Sequence, residues 1–436
     1  MDRRKFLTLS ALTVGGIAAV SACGSGSGGG GGESAGGELR VAQFGSAHRM
    51  GLFEQVFEAY TAKNPDWSLT LDAASNDAYL DKLATQVSGG NAPAVMGLFH
   101  SAVAQFARQN ALVELDEYLG NGLDTSKFTE GLVDLGRVDG TVQGLSFGDN
   151  AHGSMYDVDL LESLGMQLPE PGYTWEEFLT FSADITRAVG GDFYGTEDRS
   201  SQLDQIFKVW LLQRGKYAFT ETGDLGFDKS DLTDWLELWQ MLRDEGAAPP
   251  ADITAEAGGT FDSSALIRGY AANHQTYANA LASMQALTES RLQLTTIPVN
   301  PAGSGSGHFV RGSNWVGLYA RAENIDAAVD FLDFAFNDLD GAGILGAELG
   351  APPNREVRDS LEYTEAEQNF IDYINLISDE LGDTAIPLAQ EFPPSWSDIN
   401  TEFSTAVEDF RFGRTSVSES VDRFFERAES AIQAAR

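Results

Sequence analysis

The sequence predicts an α/β protein large enough for two domains. Three observations carry this reading. Segments with the period of a strand alternate with segments with the period of a helix. Short, unbroken apolar runs of the kind that form buried parallel strands fall between the helices. The chain has 436 residues with 42% hydrophobic content, which is enough for two ordinary cores.

Residues 39–44, Leu-Arg-Val-Ala-Gln-Phe, read as the first strand. Leu52, Phe53, Val56, Phe57 and Tyr60 then recur on one helical face, and Asn64-Pro65 stops that helix. Trp67, Leu69 and Leu71 alternate with Ser68 and Thr70 as a second strand. A helix is expected around 79–87, followed by the buried strand 94–99. Thr174-Trp175-Glu176-Glu177 opens a helix with a capping box, in which the Thr hydroxyl and the Glu carboxylate satisfy free N–H groups reciprocally. Residues 203–213 and 231–243 read as helices. Trp175, Trp235 and Trp239 are assigned to core packing, and Trp210 stands open between core and cleft wall. Strands follow at 292–297 and 314–319. Ile325, Ala328, Val329, Leu332 and Phe336 form a helix face. The last helix starts at the capping box Ser416-x-x-Glu419, with Val417, Val421, Phe424, Phe425, Ala428 and Ile432 as its buried stripe.

The N-terminus reads as an address. Residues 1–22 have a basic start (Arg3, Arg4, Lys5) and an apolar stretch, 7–20, too short to span a bilayer. Val20-Ser21-Ala22-Cys23 resembles a bacterial lipobox, which implies lipidation of Cys23. Arg3-Arg4-Lys5-Phe6-Leu7 resembles a twin-arginine signal, with general secretion as the alternative. Residues 23–37 then form the lipidated cysteine and a Gly/Ser-rich tether.

Composition excludes several classes. Asp+Glu number 65 against 28 Lys+Arg, a net charge of −37 that repels phosphate backbones and anionic lipid heads, so no nucleic acid is expected as a partner. Cys23 is the single cysteine, which rules out a disulfide framework within the chain and a cysteine-based metal centre. The five histidines show no H-x-H or H-x-x-x-H spacing, so no metal and no cofactor is expected. Gly341 to Gly346 matches G-x-G-x-x-G but follows a helix, so it fails the dinucleotide context.

A series of landmarks then falls in a recognisable order. Phe57-Glu58-Ala59-Tyr60 and Asn64-Pro65 lead to Tyr79-Leu80-Asp81-Lys82-Leu83 and Ser88-Gly89-Gly90-Asn91-Ala92-Pro93. Leu112-Val113-Glu114-Leu115-Asp116, Gly144-Leu145-Ser146-Phe147 and Met155-Tyr156-Asp157 come next. Gly350-Ala351-Pro352-Pro353-Asn354-Arg355 comes late. In this order, behind a lipobox, the chain resembles the family 1 extracellular solute-binding proteins, the carbohydrate-importer lipoproteins related to maltose-binding protein. It departs from that pattern at Gly269-Tyr270-Ala271-Ala272-Asn273, where the family usually reads Gly-Lys-x-Ala-Met.

The resemblance implies a two-lobed periplasmic-binding-protein type II fold with the ligand cleft between the lobes. The N-terminal lobe would take 38–146 plus 308–355, and the C-terminal lobe 154–302 plus 356–436, with hinges near 147–153 and 303–307. It also implies an importer subunit without enzymatic activity. Such a subunit is a monomer that binds a sugar or oligosaccharide and meets ABC permease transmembrane subunits. It touches the outer face of the cell membrane only through its lipid anchor. A secreted glycan-acting hydrolase and a non-transport adhesion or sensing lipoprotein stand as alternatives.

A sugar needs aromatic faces for its C–H surface and polar groups for its hydroxyls. Strand-end loops offer Phe44 and His48, then Asn76 and Asp77, then His100. A hinge-side loop offers Asp149, Asn150 and His152. Late loops offer Asn273, His274, Tyr277 and Asn279, then Asn314 and Trp315. Trp396 sits where the maltose-binding relatives stack an aromatic on sugar.

Overall fold

The computed structural model describes residues 36–257, 260–303, 305–382 and 388–436, apart from the side chains of Asn76, Asp77, Leu388 and Ala389. Residues 1–35, with the expected export signal, Cys23 and most of the expected tether, lie outside the described residues.

Strands β1 (Glu38–Phe44), β2 (Ser68–Ala74) and β3 (Val95–Leu98) are parallel, each followed by a helix: Ala47–Lys63, Asn76–Ser88 and His100–Arg108. The first helix starts at Ser46, whose hydroxyl accepts from the Arg49 N–H, and ends before Asn64-Pro65. A short hairpin, β4 (Arg137–Val138) and β5 (Thr141–Val142), precedes β6 (Leu145–Asn150). The next strand, β7 (His152–Asp157), belongs to a different sheet. It is joined there by β8 (Asn273–Tyr277) and β9 (Leu292–Thr295). The last strand, β10 (Arg311–Leu318), returns to the first sheet.

The larger sheet has the order β2-β1-β3-β10-β6, with β10 antiparallel to both β3 and β6. The smaller sheet has the order β8-β7-β9, all antiparallel. Ala151 therefore joins a strand of one sheet to a strand of the other. Each sheet has its own core. Leu39, Val41, Phe53, Tyr60, Val95 and Phe331 pack around the first. Met155, Leu281, Leu294, Phe370 and Ile374 pack against the second. A helical layer beside it is built on Trp175, Phe207, Trp210, Trp235, Trp239, Phe403 and Phe424. Trp235 meets Trp175 edge-on at 5.9 Å and Trp239 at 5.6 Å, the T-shaped geometry that ring quadrupoles favour. The open question at Trp210 resolves to the core.

Two glycines are required by close approach. A Cβ on Gly148 would lie 2.6 Å from the backbone of Gly350, and one on Gly312 would lie 2.3 Å from the Trp315 ring. Both capping boxes read from the sequence form, at Thr174/Glu177 and Ser416/Glu419. The segment expected as one helix at 203–213 is a π-helical turn, Leu203–Phe207, running into the α-helix Lys208–Gln213. Among the described residues, no helix is long and apolar enough to cross a membrane.

Candidate functional site

In open α/β sheets the crevice outside the carboxyl ends of parallel strands is where ligands sit. Phe44 ends β1, and Phe99 and His100 follow β3. They form one wall of a cleft of about 300 Å³ between the two sheets. Asn150 at the crossover and Ser313 and Asn314 on β10 join this wall. Tyr277 of β8, Asn279 and Phe261 stand on the other side.

The aromatic faces are ordered by mutual packing. The rings of Phe44 and Phe99 stack at 4.1 Å. His100 lies nearly parallel to Tyr277 at 6.4 Å, across the gap. The polar groups are held as firmly. Asn314 has a left-handed backbone, φ 50°, inside a strand. Its Oδ1 accepts from Arg49 Nη1 at 3.0 Å, and its Nδ2 donates to the Leu349 carbonyl at 3.0 Å. Arg49 Nε also donates to Glu348 at 3.1 Å. Backbone strain of this kind at an asparagine persists only where its surroundings over-determine it. Across the cleft, Asn279 Nδ2 donates to Ser313 Oγ at 3.2 Å, and the Asn279 N–H donates to Asn150 Oδ1 at 3.1 Å.

Next to Tyr277 lies a buried charge cluster. The Tyr277 hydroxyl donates to Asp204 at 2.6 Å and accepts from Arg311 Nη1 at 2.9 Å. The Arg311 guanidinium also lies over the Tyr277 ring at 4.8 Å, a cation–π contact. Arg311 and Lys208 both pair with Glu391, and all three side chains are within 3% of full burial. Burial raises the Glu391 carboxyl, but Arg311 and Lys208 outweigh it and hold the group below its ordinary range. Burial also depresses Lys208, with Glu391 working against it.

Burial, with Arg311 adding to it, pulls the His100 imidazole down to about 3. Burial, with Lys208 and Arg311 nearby, puts His152 well below its ordinary value. Both rings are neutral at pH 7. His100 Nε2 lies 2.7 Å from the Gly312 carbonyl, which only accepts, so that nitrogen carries the proton. His152 packs on Tyr277 at 4.9 Å, and its Nε2 is buried with no hydrogen-bond partner. Arg311 Nε is likewise unpaired, and its Nη2 lies 3.1 Å from Glu391 without hydrogen-bond alignment.

Of the residues expected from sequence, Phe44, His100, Asn150, Tyr277 and Asn314 line the cleft together, and His152 packs behind Tyr277. Other expectations are corrected. Trp315 is 1% exposed and belongs to the core of the larger sheet, because strand alternation turns it away from its neighbour Asn314. Asp149 is fully buried on the far side of β6, bound to Thr129 and paired with Arg358. His48 is exposed on the first helix. A helix turns about 100° per residue, so Arg49 and not His48 reaches the cleft. Trp396 is half-buried, edge-on to Phe392 at 5.1 Å and Phe219 at 6.0 Å, where it joins two cores. Asn76 and Asp77 open a helix, and their side chains lie outside the described set. The expected loops at 149–152 and 273–277 are strands. His274 faces away from the cleft and pairs with Glu197 at 2.7 Å.

Sequence reasoning passed over Arg49, Phe99, Lys208, Arg311 and Glu391. Two of them left a signal. Lys208 interrupts the apolar run Ile206-Phe207-Lys208-Val209-Trp210, and Arg311 opens a strand that is otherwise uncharged. A cation in such a run is either an error of assignment or a paired buried charge.

Known proteins agree with this architecture. The family model for bacterial extracellular solute-binding proteins matches residues 46–338, more than half of the chain. The chain belongs to that family. It is 25% identical over 362 residues to a lactose-binding protein of Rhizobium radiobacter, covering 78% of this chain and 82% of that protein. Among solved structures, it matches a periplasmic oligogalacturonide-binding protein of Yersinia enterocolitica in complex with saturated digalacturonic acid. The TM-score is 0.77 at 17% identity, covering 91% of this chain and 99% of that one. It also matches an ABC substrate-binding protein of Listeria monocytogenes in complex with cycloalternan. Here the TM-score is 0.71 at 18% identity, with coverage of 91% and 99%. At such identities the likeness establishes the two-lobed solute-binding fold.

Proposed function

We propose that this chain is the extracytoplasmic, lipid-anchored substrate-binding subunit of an ABC importer. It captures a sugar or short oligosaccharide by lobe closure and delivers it to the permease. The observation that carries the reading is the cleft itself. Apolar ring faces (Phe44, Phe99, Tyr277) and neutral polar groups (Asn150, Asn279, Ser313, Asn314) converge from both sheets on one space. That combination suits a molecule with C–H faces and many hydroxyls. The unpaired nitrogen of His152 and the unpaired guanidinium donors of Arg311 beside Tyr277 add to it, because buried polar groups call for partners and a hydroxyl both donates and accepts. Relatives named for lactose binding or solved with digalacturonic acid and cycloalternan support the same ligand class.

In this reading the lobes are 38–146 with 308–355, and 154–302 with 356–436. The hinges fall near 147–153, a stretch that includes the change of sheet at Ala151, and near 303–307. Closure about those hinges buries the ligand. Cys23 carries the lipid, and the Gly/Ser tether lets a monomeric body reach the permease. A thermal-shift panel of mono- and oligosaccharides, amino acids and peptides tests the assignment. A saturable rise in Tm with one sugar class is expected. A response to peptides or amino acids alone would overturn the sugar assignment.

A further inference from the structure

A second pocket lies on the C-terminal side of the molecule and shares no lining residue with the cleft. Its volume is about 310 Å³. Glu197, Asp198 and Arg199 line it on one side, Arg411 and Phe412 on another, and Pro249, Ile253, Ala265 and Tyr270 supply the rest of the wall.

Its charges do not cancel internally. The side chains of Arg411 and Arg243 are 4% and 8% exposed. Arg199 is enclosed beside them and donates one hydrogen bond, from Nη2 to Gln205 at 3.2 Å. Facing these three guanidinium groups are two buried carboxylates, both already engaged. Glu197 accepts from the Leu266 N–H at 2.9 Å and pairs with His274 at 2.7 Å. Asp198 accepts from Arg243 Nη1 at 2.6 Å and from the Ser200 N–H at 2.9 Å. Arg411 comes no nearer to Asp198 than 3.7 Å, too far for a hydrogen bond. Glu408 stands at the rim, exposed to solvent. Asp204, the next carboxylate toward the cleft, is bound to Tyr277.

The result is a set of buried donors without acceptors. Arg411 Nε, Arg411 Nη1 and Arg199 Nε have no hydrogen-bond partner. Buried guanidinium donors in native proteins are almost always satisfied, so an unsatisfied group of three around one pocket is informative. Among the buried groups three guanidiniums face two carboxylates, with Glu408 at the solvent-exposed rim, in a chain whose net charge is −37. The unpaired guanidinium donors, which pair best with a carboxylate, and the half-apolar wall set the chemistry of an occupant. It carries one negative charge on an oxygen acceptor and a small apolar body.

We propose that this pocket is a binding site for a small organic monocarboxylate, held by Arg199 and Arg411 and separate from the sugar cleft. The carboxylate oxygens take the free Nε and Nη1 donors. The apolar body lies against Pro249, Ile253 and Phe412. The proposal stands on this pocket alone and does not depend on what the cleft binds.

The test is thermal unfolding of the purified protein in sodium propionate, sodium chloride and sodium phosphate at matched ionic strength. Propionate is expected to raise Tm saturably above the chloride reference, by about 3 °C at a hundredfold excess over Kd. Arg411→Gln and Arg199→Gln should each abolish that rise. The Tm of each variant without added anion, and its unfolding cooperativity, report whether it is folded. If Arg411→Gln does not fold, Arg411→Lys and Arg199→Gln carry the comparison. Equal shifts in propionate and chloride, or a propionate shift retained in both variants, would overturn the proposal. A response to phosphate alone would overturn the monocarboxylate assignment.

Discussion

Arg358 gives the sharpest stability prediction. Its side chain is 1% exposed, and its partner Asp149 is fully buried. The guanidinium also donates from Nε and Nη2 to the Pro352 carbonyl, from Nη1 to Asn375 at 3.1 Å, and from Nη2 to Thr129 at 3.2 Å. It therefore ties β6, the 352–354 turn and the helix Glu365–Leu376 together next to the crossover at Ala151. Arg358→Met keeps the stem and removes every donor. Breaking one side of a buried pair costs about 3–5 kcal/mol, because the other charge is left uncompensated. With about 400 described residues at roughly 2.1 cal/mol/K each, the unfolding entropy is about 0.84 kcal/mol/K, so Tm should fall by about 4–6 °C. The double variant Asp149→Asn/Arg358→Met should be more stable than Arg358→Met alone, since it no longer buries a lone carboxylate. Calorimetry of the four proteins in the cycle measures this. A Tm for Arg358→Met within about 1 °C of wild type, or strictly additive losses in the double variant, would show that the buried pair does not hold this junction together.

Three further outcomes follow from the same geometry. Asn314→Gly relieves a left-handed backbone strain of about 1–2 kcal/mol and gives up the bonds to Arg49 and Leu349. It should leave Tm nearly unchanged while weakening ligand binding at least tenfold by titration calorimetry. Glu391→Gln should cost more stability than Lys208→Met in denaturant unfolding, because it leaves Lys208 and Arg311 facing each other, whereas Lys208→Met leaves a Glu391–Arg311 pair. His100 and His152 are neutral in the folded chain, with values pulled far below 6.5 by burial, so the unfolded chain binds more protons below that pH. Their contribution is complete above about pH 6.5 and is lost as pH falls toward 3, at up to about 1.4 kcal/mol per pH unit for each. Unfolding at pH 7, 6 and 5 should show this slope, and His100→Gln should reduce it.

The fold was largely legible in the sequence because its signals are local. The 39–44 run, the Asn64-Pro65 stop and the two capping boxes each specify an element within a few residues, and the landmark order supplied the topology. The site was legible only in part. Position in the chain brought Phe44, His100, Asn150, Tyr277 and Asn314 to the right region. The direction of each side chain depends on register, which a single residue can reverse. That is why Asn314 faces the cleft and Trp315 the core, and why Arg49 took the place expected of His48. The stretch 149–152, where β6 ends and β7 begins, reads as a loop from sequence because Asp149 and Asn150 are turn-prone residues. Tertiary partners, Arg358 for Asp149 and Tyr277 for His152, hold them extended.

A ligand held between the two sheets is tested most directly by titration calorimetry of the sugar found by the thermal-shift panel against four proteins: wild type, Tyr277→Ala, Asn314→Ala and Arg411→Gln. Tyr277→Ala should lose at least a hundredfold in affinity, Asn314→Ala should show a clear loss, and Arg411→Gln should bind as wild type. Undiminished binding in both cleft variants would contradict a ligand held between the two sheets.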